Sequence, residues 1–192
     1  MCRVLVFFMA GLAFFPRLAT PQEKSNETVI AEAVSALPEP LRDGATVQAF
    51  RYGRLVTIRE GTNGMICLGD DPARDGWHVA CYQEGLEPFM VRGRELRAQG
   101  VTDRSAIDSV RLAEIESGKL EFPDGPATLY SLFADEVALN PGTGGAEGAR
   151  GLYVIYVPYA TEESIGISVV SSRERPWLMF PGRPWAHIMI PR

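Results

Sequence analysis

Between Arg59 and Tyr82 the sequence reads REGTNGMICLGDDPARDGWHVACY, which places Cys67, Cys81, His78 and the adjacent Asp70 and Asp71 in one short stretch. Two thiols can form a disulfide or supply a thiolate nucleophile, and imidazole with carboxylate suits zinc, copper or iron. Only one other histidine exists, His187, so histidine-based chemistry must use His78, His187 or both. A metal site would combine His78, His187, Asp70 and Asp71. The spacing lends it no support, because neither H-x-x-x-H nor H-E-x-x-H occurs and the histidines stand more than a hundred residues apart. Asp70 and Asp71 are more simply turn residues of a solvated loop. No G-x-S-x-G elbow marks a nucleophile, and the cysteines are claimed by a disulfide. No catalytic residue, metal set or cofactor is therefore assigned, and the balance is against an enzyme.

The histidines remain candidates for ligand contact. On a strand His187 points with Met189 and away from Ala186, Ile188 and Ile190. A hydrogen-bonded histidine on a sheet face is the expected state, with Trp177, Trp185, Tyr153, Tyr156 and Tyr159 as its aromatic surroundings. Trp77 and Trp185 join His78 and His187 as the residues expected to touch a ligand. The stretch NPGTGGAEGARG invites a phosphate-loop reading, but it precedes the strongest strand pattern and lacks a Gly-Lys-Ser/Thr ending. It is read as a mobile connection.

These side chains must be positioned by elements that the pattern predicts. Apolar residues at Val29, Ile30, Ala33, Val34 and Leu37 have helical spacing, with Ser25 or Asn26 as cap and Pro38 and Pro40 as stop. Residues 46–50 and 54–59 form a hairpin around a turn at 51–54. The Asn63-Gly64 turn leads to a third strand at 65–67 and so to a meander, with the cysteines at or near strand ends. Helices are predicted at 88–99 and 103–116, packed on one face of the sheet. Residues 128–133 are an ambiguous apolar segment. The continuous apolar run at 152–157 predicts a central strand buried on both faces. Residues 177–180 and 186–190 form a terminal hairpin around Pro181-Gly182-Arg183-Pro184.

At the N-terminus, Arg3 precedes an apolar run from Val4 to Phe15 that is ended by Pro16. That run is too short for the roughly 20 residues a membrane span needs, so residues 1–20 are expected to be an export signal and 21–192 a single domain. Removing Arg3 and Arg17 with the signal takes the formal charge from −5 to −7, which disfavours nucleic-acid binding. Cys67 and Cys81 are then the only cysteines left, an even pair in an oxidising compartment, and are expected to form a disulfide.

The segments TIREGTNGMICL, ACYQEG and PWLMFPGRPWAHIMIP resemble a group of exported bacterial proteins with no assigned activity. The matching residues are Arg59, Glu60, Gly61, Asn63, Gly64, Cys67, Cys81, His187, Met189 and Pro191, while Met65 stands where the group has an aromatic residue. The resemblance implies export, the disulfide and a shared fold, and no chemistry.

The expectation is an α+β domain with a mostly antiparallel sheet, helices on one face and one disulfide, exported to the periplasm or secreted. Its expected role is non-catalytic binding of a small molecule or an envelope partner, with no membrane insertion once the signal is gone. The alternatives are a metal-dependent or hydrolytic enzyme that brings His78 and His187 together, and a structural envelope protein.

Overall fold

The first helix starts where the sequence supplies a cap. The computed structural model describes residues 23–135, 137–140 and 145–192, so the expected export signal and the centre of the glycine-rich stretch, 141–144, lie outside the described residues. Ser25 caps α1 (Asn26–Val34), its hydroxyl oxygen accepting from the Thr28 N–H. Val29, Ala33 and Val34, followed by Ala36 and Leu37, are buried. Pro40 stands in the first turn of the short α2 (Glu39–Arg42), where its missing N–H costs nothing.

β1 (Thr46–Arg51) and β2 (Arg54–Arg59) form the expected hairpin. Tyr52 and Gly53 between them have φ of 51° and 73°, as a turn of type I′ requires. β3 (Met65–Leu68) departs from the expected meander: it pairs with β1, not β2, and runs parallel to it. Burial explains the choice. β2 is half-buried or exposed throughout, whereas β1 buries Val47 and Ala49 and β3 buries Met65 and Cys67, so pairing β3 with β1 joins their apolar rows.

The crossing from β2 to β3 passes beneath the start of β1, and residues 59–64 are built for it. Gly61 lies against the backbone there: a Cβ would stand 2.2 Å from the Thr46 nitrogen and 2.4 Å from the Gly44 oxygen. The Gly61 N–H donates to Thr46 Oγ1 at 2.9 Å, and the N–H groups of Thr62 and Asn63 donate to the Gly44 oxygen at 2.7 and 3.1 Å. Arg59 Nε donates to the Ala45 carbonyl and Asn63 Nδ2 to that of Leu41. REGTNG is therefore a clasp around the entrance to β1.

β4 (Trp77–Gln83) runs antiparallel to β3, with Cys67 directly opposite Cys81 and disulfide-bonded to it. Cys67 is the next-to-last residue of β3 and Cys81 lies two residues from the end of β4, near strand ends as expected, and both are fully buried beneath α1. Cys81 Sγ stands 3.2 Å from the Ala33 oxygen. A disulfide sulfur carries no hydrogen, so this is a packing contact.

After one 3-10 turn (Glu84–Leu86) come α3 (Glu87–Ala98) and α4 (Arg104–Glu116), the latter capped by Asp103 Oδ2 on the Ala106 N–H. A fork from Arg92 Nε and NH2 to the two Glu114 oxygens, at 2.7 and 2.8 Å, clamps the helices together. β5 (Ala127–Ala134) follows, then a ribbon of β6 (Ala138–Asn140) and β7 (Gly145–Glu147) that occupies the ends of the expected mobile connection. β8 (Arg150–Tyr156), α5 (Glu162–Ile165), β9 (Trp177–Met179) and β10 (His187–Pro191) complete the order.

The main sheet has eight strands in the order β2-β1-β3-β4-β5-β8-β10-β9, antiparallel except for β1 and β3. The α+β class, the largely antiparallel sheet and the disulfide are as expected. Helices on one face are half of the arrangement: α3 and α4 cover one face, and α1 covers the other over Val47, Cys67, Val79 and Cys81. β8 is central, flanked by β5 and β10; it buries Val154 and Tyr156 on the α3 side and leaves Tyr153 and Ile155 half-buried on the other. Among the described residues no helix is long and apolar enough to cross a membrane.

Candidate functional site

Strand alternation decides which predicted residues share a space. The even-numbered residues of β4, namely His78, Ala80 and Tyr82, face α3, and the register carries that face through Leu129 on β5 and Tyr156 on β8 to His187 on β10. These side chains floor a cleft of about 1130 Å³ whose other wall is formed by α3 and α4. Trp77, at an odd position of β4, is buried on the α1 face and does not line the cleft. Tyr153 also lies on that opposite face, edge-on to Tyr130, and Tyr159 is exposed.

His78 and His187 both line the cleft, at its two ends. His78 is opposite Phe133 of β5, whereas His187 is opposite Tyr156, which is opposite Ala127. Three strand spacings across and six residues along amount to roughly 20 Å or more. The imidazoles therefore cannot share a metal ion or a reacting atom, which removes the geometry that the two-histidine enzyme reading needs. The cause is topological: β5 and β8 stand between their strands. Among the described residues no three His, Cys, Asp or Glu side chains gather as a ligand set.

At the first end the aspartates serve the loop. Asp70 Oδ1 accepts from the His78 N–H at 3.0 Å, and Asp71 Oδ1 accepts from the Ala73 N–H at 3.0 Å, an Asx turn. The His78 ring meets Ser131 Oγ through Nε2 at 2.9 Å. Loss of water in the concave wall, helped by Arg74, holds its pKa below the ordinary histidine value, and Asp70 opposes the shift.

The other end is more enclosed and chemically richer. His187 is buried, and Nδ1 lies 2.8 Å from the Trp185 carbonyl. A carbonyl only accepts, so Nδ1 carries the proton and Nε2 keeps its lone pair. Burial pushes the His187 pKa down, the bond to Trp185 opposes this, and Arg104 adds to it. The Tyr156 ring is 5.0 Å from the imidazole and that of Phe180 5.7 Å. Phe180 is held at φ 53°, a conformation that favours glycine, at the start of the turn between β9 and β10. The Tyr156 hydroxyl is pushed up to about 12 by burial, against the pull of Arg111 and Arg104, and is neutral at physiological pH. Trp185 packs its ring 5.5 Å from Phe89, and its buried Nε1–H finds no acceptor among the described residues.

Arg111 completes this end. Its guanidinium lies 3.8 Å above the Phe89 ring and donates from NH2 to the Phe89 carbonyl at 2.8 Å. Burial lowers its pKa to about 10, so it remains charged at neutral pH. Gly93 of α3 makes the room for it. Sequence reasoning missed Arg111, although a signal was present: in α4 it stands at i+4 from Ile107 and i−4 from Ile115, where the apolar stripe calls for a hydrophobic residue.

The arrangement can hold a molecule with an apolar body. It offers an acceptor at His187 Nε2, a phenol at Tyr156 and cationic donors above, while the pairing of a hydroxyl with an imidazole, Ser131 Oγ on His78 Nε2, belongs to the opposite end. No protein-family model matches the chain, and neither a curated protein nor a solved structure matches it.

Proposed function

We propose that the protein is an exported domain that binds a small molecule, without chemistry, in the cleft between α3 and the sheet. The observation that carries this reading is the aromatic enclosure at the His187 end, where Tyr156 and Phe180 flank a buried imidazole and Trp185 joins Phe180 to Phe89. Concave sites lined by aromatics with a few polar groups are the usual form of a small-molecule pocket. A purely structural envelope role has no use for such a cleft. Export is supported by the signal-like N-terminal sequence and agrees with a buried disulfide.

The probe that tests binding is N-phenyl-1-naphthylamine, an uncharged two-ring-system dye. Titrated into 15N-labelled protein, it should move the amide resonances of Tyr156, Phe180 and His187 and leave those of Val47 and Cys67, beneath α1, in place. Leu129→Trp, which fills the floor of the cleft, should abolish the shifts while leaving the folded spectrum intact. Equal shifts on both faces, or no shifts with the dye in excess, would remove the reading.

A further inference from the structure

The charges around the His187 end are not balanced. Arg97, Arg104 and Arg111 all line the cleft wall there, and Arg97 and Arg104 both disfavour the charge on Arg111. Arg97 donates to the Gly93 carbonyl, and Asp108 is the carboxylate that Arg104 and Arg111 share. Its contacts are long: 3.9 Å from Arg104 Nε and 3.8 Å from Arg111 NH1, too far for a hydrogen bond. The other acidic groups nearby are engaged elsewhere. Glu95 pairs with Arg92 at 3.2 Å, and Glu87 takes Arg94 at 2.9 Å and the Tyr82 hydroxyl at 2.5 Å. Arg94 thus donates to a carboxylate and a hydroxyl, whereas the one hydrogen bond of Arg111 among the described residues goes to a neutral carbonyl.

Arg111 is also the group least able to do without them. Its side chain is about one-tenth exposed, its Nε has no acceptor among the described residues, and NH2 has only a neutral carbonyl. A buried guanidinium short of acceptors is costly, and the ligand that best relieves it is a planar or tetrahedral oxyanion, which takes two of its N–H groups at once. The covered Nε is not the atom a ligand would meet first; NH1 is, since no hydrogen bond holds it. The Trp185 indole N–H lacks an acceptor too, and the floor groups, Tyr156 and His187, carry no negative charge. The buried donors without a partner at this end, Arg111 Nε and Trp185 Nε1, both call for an acceptor, and the excess charge is positive.

We propose that the His187 end of the cleft binds the anionic head of a small organic acid, with Arg111 and Arg104 as charge partners and Phe180 and Trp185 against its apolar body. This rests on the reading of the cleft as a binding site and adds the chemical class of what it binds. Arg104 is well suited to the outer contact: it is largely exposed, and its guanidinium lies 5.3 Å from the Phe180 ring centre, at the rim.

The test compares two dyes with the same rings, 1-anilinonaphthalene-8-sulfonate, which carries a sulfonate, and N-phenyl-1-naphthylamine, which does not. Affinities are read from the Trp185 indole N–H resonance, with the Trp77 indole on the opposite face as internal control. The sulfonate should bind at least about tenfold more tightly, as a charge-assisted hydrogen bond in a partly buried site implies. Arg104→Gln should weaken the sulfonate about two- to fivefold, the range for an exposed pair, and leave the neutral dye unchanged. Arg111→Met keeps much of the side-chain length and should remove most of the preference; if it does not fold, Arg104→Gln and Arg104→Glu still decide. Equal affinities for the two dyes, indifferent to Arg104→Glu, would overturn the anionic head and leave the cleft as an apolar binding site. Binding of neither dye would overturn both.

Discussion

Gly93 on α3 and Arg111 on α4 fit only as a pair: a Cβ on Gly93 would stand 1.9 Å from Arg111 NH2. A mid-helix glycine is a weak choice by about 1 kcal/mol relative to alanine, so the guanidinium is what requires it. Gly93→Ala should destabilise the protein by about 2 kcal/mol, the usual scale of overpacking in a filled interior. In an Arg111→Ala background the same change should be neutral or stabilising by up to about 1 kcal/mol. Urea unfolding of the four proteins measures the coupling; simple additivity would mean that the two residues do not share the space.

The clasp at residues 59–64 makes a harsher demand, because the neighbour of Gly61 is backbone. Gly61→Ala should cost at least about 3 kcal/mol or prevent folding, since neither Gly44 nor Thr46 can withdraw without opening the start of β1. Gly53, with φ 73° and nothing near its Cβ position, should lose only about 1–2 kcal/mol on the same change. Melting temperatures of the two variants side by side test the contrast.

The Cys67–Cys81 bridge closes a short loop between adjacent strands. Replacing both cysteines by alanine should lower stability by about 3 kcal/mol on the chain-entropy account, with the midpoint of urea unfolding as readout. The double variant should still bind the neutral dye, because the bridge lies on the α1 face, away from the cleft. Loss of dye binding in a folded double variant would contradict that separation.

Both histidines are held neutral by their surroundings, His187 chiefly by burial. A histidine whose pKa is lower in the folded than in the unfolded state leaves the unfolded chain binding more protons between the two values. Stability is then intact above about pH 6.5, the unfolded value, and falls as the pH drops toward the folded one. Urea midpoints from pH 7.5 down to pH 5 should decline, and His187→Asn should flatten the decline. An unchanged slope in that variant would show that His187 contributes nothing to it.

Local chemistry was readable wherever one residue decides the outcome. Ser25, one of the two residues expected to cap the first helix, does cap it, and Asn63-Gly64 turns the chain. The α+β class followed from the mixture of periods, and the bridge from the cysteine count. What was not readable depends on neighbours brought in from elsewhere in the chain. The strand at Met65 looked like the third of a meander because sequence order favours adjacent pairing, but shared burial with Val47 set its place beside β1. Trp77 and His78 looked like one ligand-contacting pair, yet adjacent strand residues face opposite ways. The pairing of His78 with His187 failed because β5 and β8 stand between their strands and the register sets them apart along the sheet. The cationic end of the cleft was hidden because Arg111 was read as one more polar residue of a helix, when its position in the apolar stripe and the glycine at 93 together marked a buried charge.

Arg74 sits exposed in the polar loop that runs from Gly69 to Gly76 between the two bridged strands. A protease cutting the chain there would produce two polypeptides and still one molecule, because the piece ending in β3 stays covalently joined to the piece beginning in β4. The bridge thus keeps the two pieces together without chain continuity at this loop. A nicked form would run as a single band until reduced, and it would keep the far end of the cleft, about 20 Å away across the sheet, as it was.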